Sequence, residues 1–497
     1  MKIIIQPNGQ RPTTKAVAFA YHQNDKPDQA AGWKKMPGSR RVVSAYFKNQ
    51  FGGSYGKDKL IMTGRGEETI LLIGKGPKKQ WNYRRLILTI RRLIQLAKQN
   101  NVAELTLWLE DFIVPDHDSQ WLAETITDQS LFANYEFNAY KKKPKEGWPV
   151  ISRLNVIIDN TPVAKIRGAV RAGIIIGEEA NEARTLANTP GGDMTPKLLA
   201  DNAQTIARQY KMKIEVLGPK QIEAVGMGGI MGVARGSDEE PRFIIMEYNG
   251  SLDKKAQPIV LVGKGVTFDT GGLNVKPEDS MKDMHLDMAG AGAVIRAMAA
   301  LARLKVPQRV IALVPAVENM PSGSGYRPGD LLKSLSGKTI EVLNTDAEGR
   351  IIMADALTYA ERYQPQLVID LATLTGSAMA ALGSWAAALF TGEEKWSDAF
   401  KKSGEMTGDY VWPLPLWEEY EWEVKGTFGD IANLGKFKGK GGAINAAMFL
   451  KQFTGKYPWV HLDTAPTMTS AEGQHLAKGA TGSGLRVVVD VLRHLSR

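Results

Sequence analysis

The sequence predicts a two-domain α/β protein. A smaller N-terminal α/β domain is expected over residues 1–164, a linker helix over 165–186, and a larger C-terminal α/β domain over 187–497. The larger domain should hold a mostly parallel central sheet flanked by helices. Three observations carry this. The chain has 497 residues, more than one ordinary core accommodates. Strand-like apolar runs alternate with helix-like segments throughout, the pattern of parallel sheets covered on both faces. Charge is also divided unevenly: residues 1–150 hold 24 Lys and Arg against 14 Asp and Glu, whereas residues 151–497 hold 39 of each.

The elements follow in chain order. Residues 68–74, ETILLIG, read as a strand ending in glycine. Residues 83–100 carry Leu86, Ile90, Leu93, Ile94, Leu96 and Ala97 at helical spacing, with Arg and Lys on the other face. A strand is expected over 102–109, a helix over 121–131 and a strand over 153–158, with Pro144 and Pro149 punctuating the approach to the last. From 165 to 186 the apolar spacing is helical until the breakers Pro190-Gly191-Gly192, which makes one long helix joining the domains. Beyond it, strands are expected at 213–217, 242–248, 258–262, 310–314, 367–371 and 459–462, with helices between them, notably 288–304 and 351–361.

Composition narrows the function. Hydrophobic content of 43% and charged content of 23% describe a soluble globular protein. The absence of cysteine excludes disulfides, thiolate metal sites and cysteine nucleophiles. The opening MKIIIQPNGQ has an apolar run too short for a signal peptide. No stretch reaches the ~18 apolar residues that span a bilayer; the best, 378–392, is interrupted by Gly383, Ser384 and Thr391. A cytoplasmic protein without membrane contact is therefore expected. The basic excess gathers at Lys34, Lys35, Arg40, Arg41, Lys78, Lys79, Arg84, Arg85, Arg91, Arg92 and Lys141-Lys142-Lys143-Pro144-Lys145. With Trp33, Tyr46, Phe47, Phe51, Tyr55, Trp81 and Tyr83 interleaved, it raises nucleic-acid binding. A solvated basic face is the plainer and preferred reading.

Three segments put unusual charge at element ends, where ligands bind in sheets of this kind. They are 262–277, containing Lys264, Asp269, Gly271-Gly272 and Lys276; 284–290, containing Asp287; and Asn344-Thr345-Asp346-Ala347-Glu348-Gly349-Arg350. Each is unremarkable alone. Asp287 reads equally as a helix N-terminal residue, Lys264 as a solvated lysine, and NTDAEGR as a charged turn. Together, four carboxylates (Asp269, Asp287, Asp346, Glu348) would repel one another unless protons or metal ions were present, and their charge matches two divalent cations. The six histidines lack HExxH spacing, and no GxSxG nucleophile elbow occurs. If the NTDAEGR loop is extended, side chains two apart point the same way, so that Asp346, Glu348 and Arg350 face one centre.

Lys264…Asp269-Thr270-Gly271-Gly272…Lys276, then Asp287-Met288 with Gly290, then NTDAEGR, in that order, resembles the leucine aminopeptidase (leucyl or cytosol aminopeptidase) family of two-metal exopeptidases. Further similar stretches are Asn188-Thr189-Pro190, Leu371-Ala372-Thr373-Leu374-Thr375-Gly376, Gly441-Gly442-Ala443-Ile444 and His461-Leu462-Asp463. The resemblance spans roughly 180–480, and the first 160 residues match only in general style. Departures are Asn445 where Thr is usual, Pro466-Thr467 in place of a smaller pair, and the basic approach Lys438-Gly439-Lys440.

The resemblance implies that Lys264, Asp269, Asp287, Asp346 and Glu348 bind two divalent ions, zinc or manganese, with Asp269 and Glu348 bridging. It implies that Lys276 stays charged and stabilises the oxyanion, and that Arg350 holds a bicarbonate acting as general base. A metal-bridging water would attack the first peptide bond. Met284, Thr373, Gly376, Ala465 and Met468 would line the first side-chain pocket and favour Leu and other apolar residues. Thr373 and Leu374 would also supply backbone hydrogen bonds, and Asn344 would join the substrate site. Short peptides with a free N-terminus are the implied substrates, and a homohexamer the implied assembly.

Overall fold

The computed structural model describes residues 1–7, 14–33, 40–49, 51–62, 69–159, 161–253 and 255–495. Lys34, Lys35 and the side chains of Arg40 and Arg41 lie outside the described residues, as does Glu68. The chain divides into two compact units, 1–181 with 471–477, and 182–470 with 478–497.

The first unit is built on a six-stranded sheet. Its spatial order is Lys2–Pro7, Arg153–Ile158, Glu104–Trp108, Ala16–His22, Thr69–Gly76, Asp58–Met62. All neighbours run parallel except the edge pair Asp58–Met62 with Thr69–Gly76. The helices Tyr83–Gln99 and Ser119–Asn134 pack on one face, and the apolar stripe read from Leu86 to Ala97 is buried there. The strand Ala16–His22, AVAFAYH, was not expected. It is central and covered on both faces, with the nearly continuous apolar run that such strands carry.

Part of the basic, aromatic surface proves to be interior. Arg91, Arg92, Lys98, Trp33, Phe51 and Trp81 are buried. Arg92 Nη2 donates to Gly74 O at 2.7 Å, Arg91 Nε donates to Gln129 Oε1 at 2.8 Å, and Lys98 pairs with Glu136 at 2.6 Å. Lys78, Lys79, Arg84 and Lys141–Lys145 remain exposed.

The expected linker helix is a single helix, Val163–Asn188, and the division between the units falls within it. The second unit holds a nine-stranded sheet. In order it runs Val411–Pro413, Ala387–Thr391, Trp459–Asp463, Leu367–Ala372, Ile259–Gly263, Arg309–Asn319, Arg242–Asn249, Lys213–Leu217, with Gly265–Asp269 also pairing Arg309–Asn319. The centre is parallel, and antiparallel pairs occur toward both sides. All six strands expected in this half are present within one or two residues, except that 310–314 extends to Arg309–Asn319. The stretch 378–392 is no span: it contains the helix Gly376–Leu382 and the strand Ala387–Thr391. No helix among the described residues is long and apolar enough to cross a membrane.

The detail that matters for function is the break at Lys264. Strands Ile259–Gly263 and Gly265–Asp269 both pair with Arg309–Asn319, at 310–313 and 316–319. Between them Lys264 turns its backbone elsewhere, its N–H donating to Leu371 O at 3.0 Å and its carbonyl accepting from Ala291 N–H at 2.9 Å. Gly263 lets the helix Ala289–Leu304 approach this closely, since a Cβ there would lie 2.8 Å from the Ala291 Cα.

Candidate metal centre

Three chain segments converge at the carboxyl ends of the central strands. Asp269 is the last residue of Gly265–Asp269. A tight turn follows, with Gly271 and Gly272 at φ +87° and +64°, where an L side chain is strained. That turn returns Lys276 to the centre, its N–H donating to Thr270 O at 2.9 Å. Asp287 lies in the 3₁₀ turn Met284–Met288 that feeds the helix Ala289–Leu304. Asp346 is in a turn, and Glu348 opens the helix Glu348–Ala360.

These six side chains form one network. Lys264 Nζ lies 2.8 Å from Asp287 Oδ1 and 2.8 Å from Glu348 Oε1, and donates to Thr373 O at 3.0 Å. Lys276 Nζ lies 2.8 Å from Asp269 Oδ2 and 2.5 Å from Asp346 Oδ1. One oxygen each from Asp269, Asp346 and Glu348 lies within 4.8 Å of the others. The Thr373 hydroxyl donates to Asp287 Oδ1 at 2.8 Å. Asp287 Oδ2 is buried with no hydrogen-bond partner among the described residues.

The electrostatics express crowding. Burial pushes Asp269 up to about 7, helped by the neighbouring Glu348 charge. Burial also holds Asp287 well above the usual carboxylate range and raises Asp346. Glu348 goes the other way: burial raises it, but Lys264 and Lys276 outweigh burial and lower it. Both lysines are raised, because their carboxylate neighbours outweigh the desolvation that lowers them. In the protein alone Lys264 is thus an ammonium ion. It could ligate a metal only by surrendering its proton, as cations replace it against the same carboxylates.

One expectation fails. The NTDAEGR loop is not extended: a turn at Thr345 and Asp346 leads straight into the helix at Glu348. Glu348 and Arg350 are therefore about 200° apart around a helix, and do not share a face. Arg350 is buried and bonds outside the network, Nη1 donating to Asn433 O at 2.7 Å. Its Nε is buried without a partner among the described residues, and burial pulls its pKa down to about 10. It stays charged at neutral pH.

The remaining expected residues are placed as follows. Thr373, Leu374 and Gly376 follow the strand Leu367–Ala372, and Ala465 and Met468 follow Trp459–Asp463. These strands are parallel neighbours, and the helix Gly376–Leu382 packs on the turn Ala465–Thr467. Ala465 and Thr373 are buried, Leu374 and Met468 half-buried, Gly376 exposed. Met284 is half-buried at the start of the turn that carries Asp287. Asn344 shapes the loop itself, its Oδ1 accepting from Asp346 N–H at 2.7 Å.

Several supporting residues had no individual signal. Asn319, fully buried, donates from Nδ2 to Asp269 Oδ1 at 2.8 Å and to Thr345 O at 2.9 Å. The Tyr326 hydroxyl donates to the same carbonyl at 2.6 Å. Asn433 accepts from Leu343 N–H at 2.7 Å and donates to Asn344 O at 2.7 Å while its own carbonyl holds Arg350. Asn319 could have been sought at the end of an apolar strand, the usual place for site residues in parallel sheets.

Comparison with known proteins gives the family. The profile of the "Cytosol aminopeptidase family, catalytic domain" matches residues 181–489, and that of its N-terminal domain matches 19–144. The chain is 42% identical over 447 residues to a "Probable cytosol aminopeptidase" of Roseiflexus castenholzii, covering 88% of this chain and 90% of that protein. It is 38% identical over 427 residues to one of Chromobacterium violaceum, covering 86% and 81%. Among solved structures, the "Bottromycin maturation enzyme BotP" superposes with a TM-score of 0.84 at 30% identity, covering 97% of this chain and 100% of that one. The same enzyme is also solved "in complex with Mn". With both domains matched and relatives this similar along most of their length, the chain belongs to the cytosol aminopeptidase family, whose activity is that of metal-dependent aminopeptidases.

Proposed function

We propose that this protein removes N-terminal amino acids, leucine and other apolar residues foremost, from short peptides with a free amino terminus. The observation that carries the reading is the convergence of Lys264, Asp269, Asp287, Asp346 and Glu348, with Lys276, in one network whose Lys276 and Asp346 are half-buried and whose other members are buried. These residues fit two divalent cations. Asp269, Asp346 and Glu348 offer carboxylate oxygens within 4.8 Å of one another, Asp287 offers a buried oxygen with no hydrogen-bond partner among the described residues, and Asp269 is an acid whose ionised form is crowded. Lys264, Asp269, Asp287, Asp346 and Glu348 would hold the ions. Bound there, the ions would acidify a water and polarise the scissile carbonyl. Oxygen-rich ligation suits zinc or manganese alike, and the manganese named with BotP makes Mn²⁺ the first to try.

The chain's own groups supply the rest. Lys276 carries a fixed positive charge among Asp269 and Asp346, where it can stabilise a developing oxyanion. Arg350, charged, buried and with an Nε–H that has no partner among the described residues, suits a small anion such as bicarbonate that accepts and returns a proton. Thr373, Leu374 and Ala465 bring backbone and small side chains to the first side-chain pocket, completed by Met284, Gly376 and Met468. Asn344 sets the turn that carries Asp346. A homohexamer in the cytoplasm is the proposed setting. Nucleic-acid binding is not proposed, because several of the arginines and aromatics that suggested it are interior.

Hydrolysis of leucine-p-nitroanilide tests the reading directly. Chelation should abolish it, and Mn²⁺ or Zn²⁺ should restore it; turnover that survives exhaustive chelation would sink the proposal. Loading should release protons from Asp269 and Lys264, so Mn²⁺ affinity should weaken as pH falls through about 7. Calorimetry at several pH values reads that sign. Arg350→Ala should leave both metals bound and slow turnover by about 10²-fold, with partial recovery on adding bicarbonate. A variant indifferent to bicarbonate would remove Arg350 from the proton path.

A further inference from the structure

Asp463 is fully buried at the end of the strand Trp459–Asp463, in register with Ala372 at the end of the parallel neighbour Leu367–Ala372. Two segments leave these strand ends side by side, 373–376 and 464–468, and both carry residues of the side-chain pocket. The Asp463 carboxylate bonds to each. Oδ1 accepts from Leu374 N–H at 3.1 Å, Thr375 N–H at 3.4 Å and Ala465 N–H at 3.2 Å, while Oδ2 accepts from the Thr375 hydroxyl at 2.6 Å. Thr375 Oγ1 in turn caps the helix Gly376–Leu382 by accepting from Ala378 N–H at 3.1 Å. A second tie holds the start of one segment to the strand end that precedes the other, Thr464 N–H donating to Ala372 O at 2.8 Å.

We propose that Asp463 is a positioning residue that fixes both walls of the first side-chain pocket, so that preference for large apolar N-terminal residues depends on a buried carboxylate. The inference rests on the aminopeptidase reading and on these two segments lining the pocket. Charge-assisted bonds to a carboxylate are about twice as strong as neutral ones. Without Asp463, three N–H groups and a hydroxyl lose their buried acceptor and each incurs a desolvation penalty. The walls then relax toward other partners. A leucine side chain, which fills the pocket, senses that shift; an alanine side chain hardly does.

The test compares leucine- and alanine-p-nitroanilide at saturating Mn²⁺ in wild type, Asp463→Ala and Asp463→Asn. Asp463→Ala should lower the Leu-to-Ala ratio of kcat/KM by about tenfold, chiefly through KM for the leucine substrate, with metal content unchanged. Asp463→Asn, isosteric and still an acceptor for the N–H groups, should recover most of the ratio. Hydrogen exchange of peptides covering 373–378 and 464–468 should quicken in the alanine variant and return toward wild type in the asparagine variant. Should Asp463→Ala fail to fold, Thr375→Val keeps the carboxylate and its three N–H bonds, removes the 2.6 Å hydroxyl bond together with the cap on Ala378 N–H, and should lower the same ratio about twofold to fivefold. An unchanged ratio, or equal losses on both substrates, overturns the proposal. A wild-type protein inactive on both substrates would instead overturn the aminopeptidase reading.

Discussion

Glu348→Ala is expected to lower kcat/KM by at least about 10³-fold, the scale on which a single electrostatic stabiliser is lost, and to reduce bound metal below two ions per chain. Glu348 stands between the two halves of the network. It reaches Lys264 at 2.8 Å, one of its oxygens lies within 4.8 Å of oxygens on Asp269 and Asp346, and it is the only acid of the four whose ionised form the surroundings favour. The fold should survive. Breaking a buried ion pair can cost about 3–5 kcal/mol when it strands a charge, but Lys264 keeps Asp287 at 2.8 Å and the Thr373 carbonyl at 3.0 Å. Losing Glu348 also removes a charge that repels Asp269, Asp287 and Asp346. Circular dichroism should therefore be unchanged, while the rise in melting temperature on adding Mn²⁺ should shrink. Wild-type turnover with two ions bound would show that Glu348 is not a ligand.

What the sequence disclosed and what it hid have separate physical causes. The C-terminal strands 242–248, 258–262, 367–371 and 459–462 were legible as largely apolar runs bounded by polar or turn residues, and 213–217, KIEVL, alternates polar and apolar residues. Ala16–His22 went unread although it too is a nearly continuous apolar run, buried from Ala16 to Tyr21. The charged candidates at strand ends were legible as residue types, and the family resemblance ordered them. Their mutual geometry was not. Reading NTDAEGR as extended assumed that the loop outlasts Glu348, whereas the helix begins there and turns Arg350 toward Asn433. Asn319, Asn433 and Asp463 act largely through hydrogen bonds to groups far away in sequence. Neither periodicity nor local charge records such partners.

Gly349→Ala is the second large expected effect, and it separates helix propensity from site geometry. Gly349 is the second residue of the helix Glu348–Ala360. By propensity alone, alanine there should stabilise by up to about 1 kcal/mol. A Cβ at this position, however, would lie 2.5 Å from Lys264 Nζ. Lys264 has little room to yield, being 2% exposed and held by Asp287, Glu348 and the Thr373 carbonyl. Overpacking of this kind costs about 1–3 kcal/mol, so the clash should cancel or exceed the propensity gain and leave the melting temperature level or lower. Activity should suffer more than stability. Shifting Lys264 or Glu348 by an ångström misplaces two of the five groups that would hold the ions, and displacements of that size can cost about 10²-fold in rate. The expected result is a folded protein with kcat/KM down by about that factor and weakened Mn²⁺ binding by calorimetry. A variant that melts higher and keeps full activity would mean that Lys264 need not sit where the structure places it, and would remove it from the metal centre.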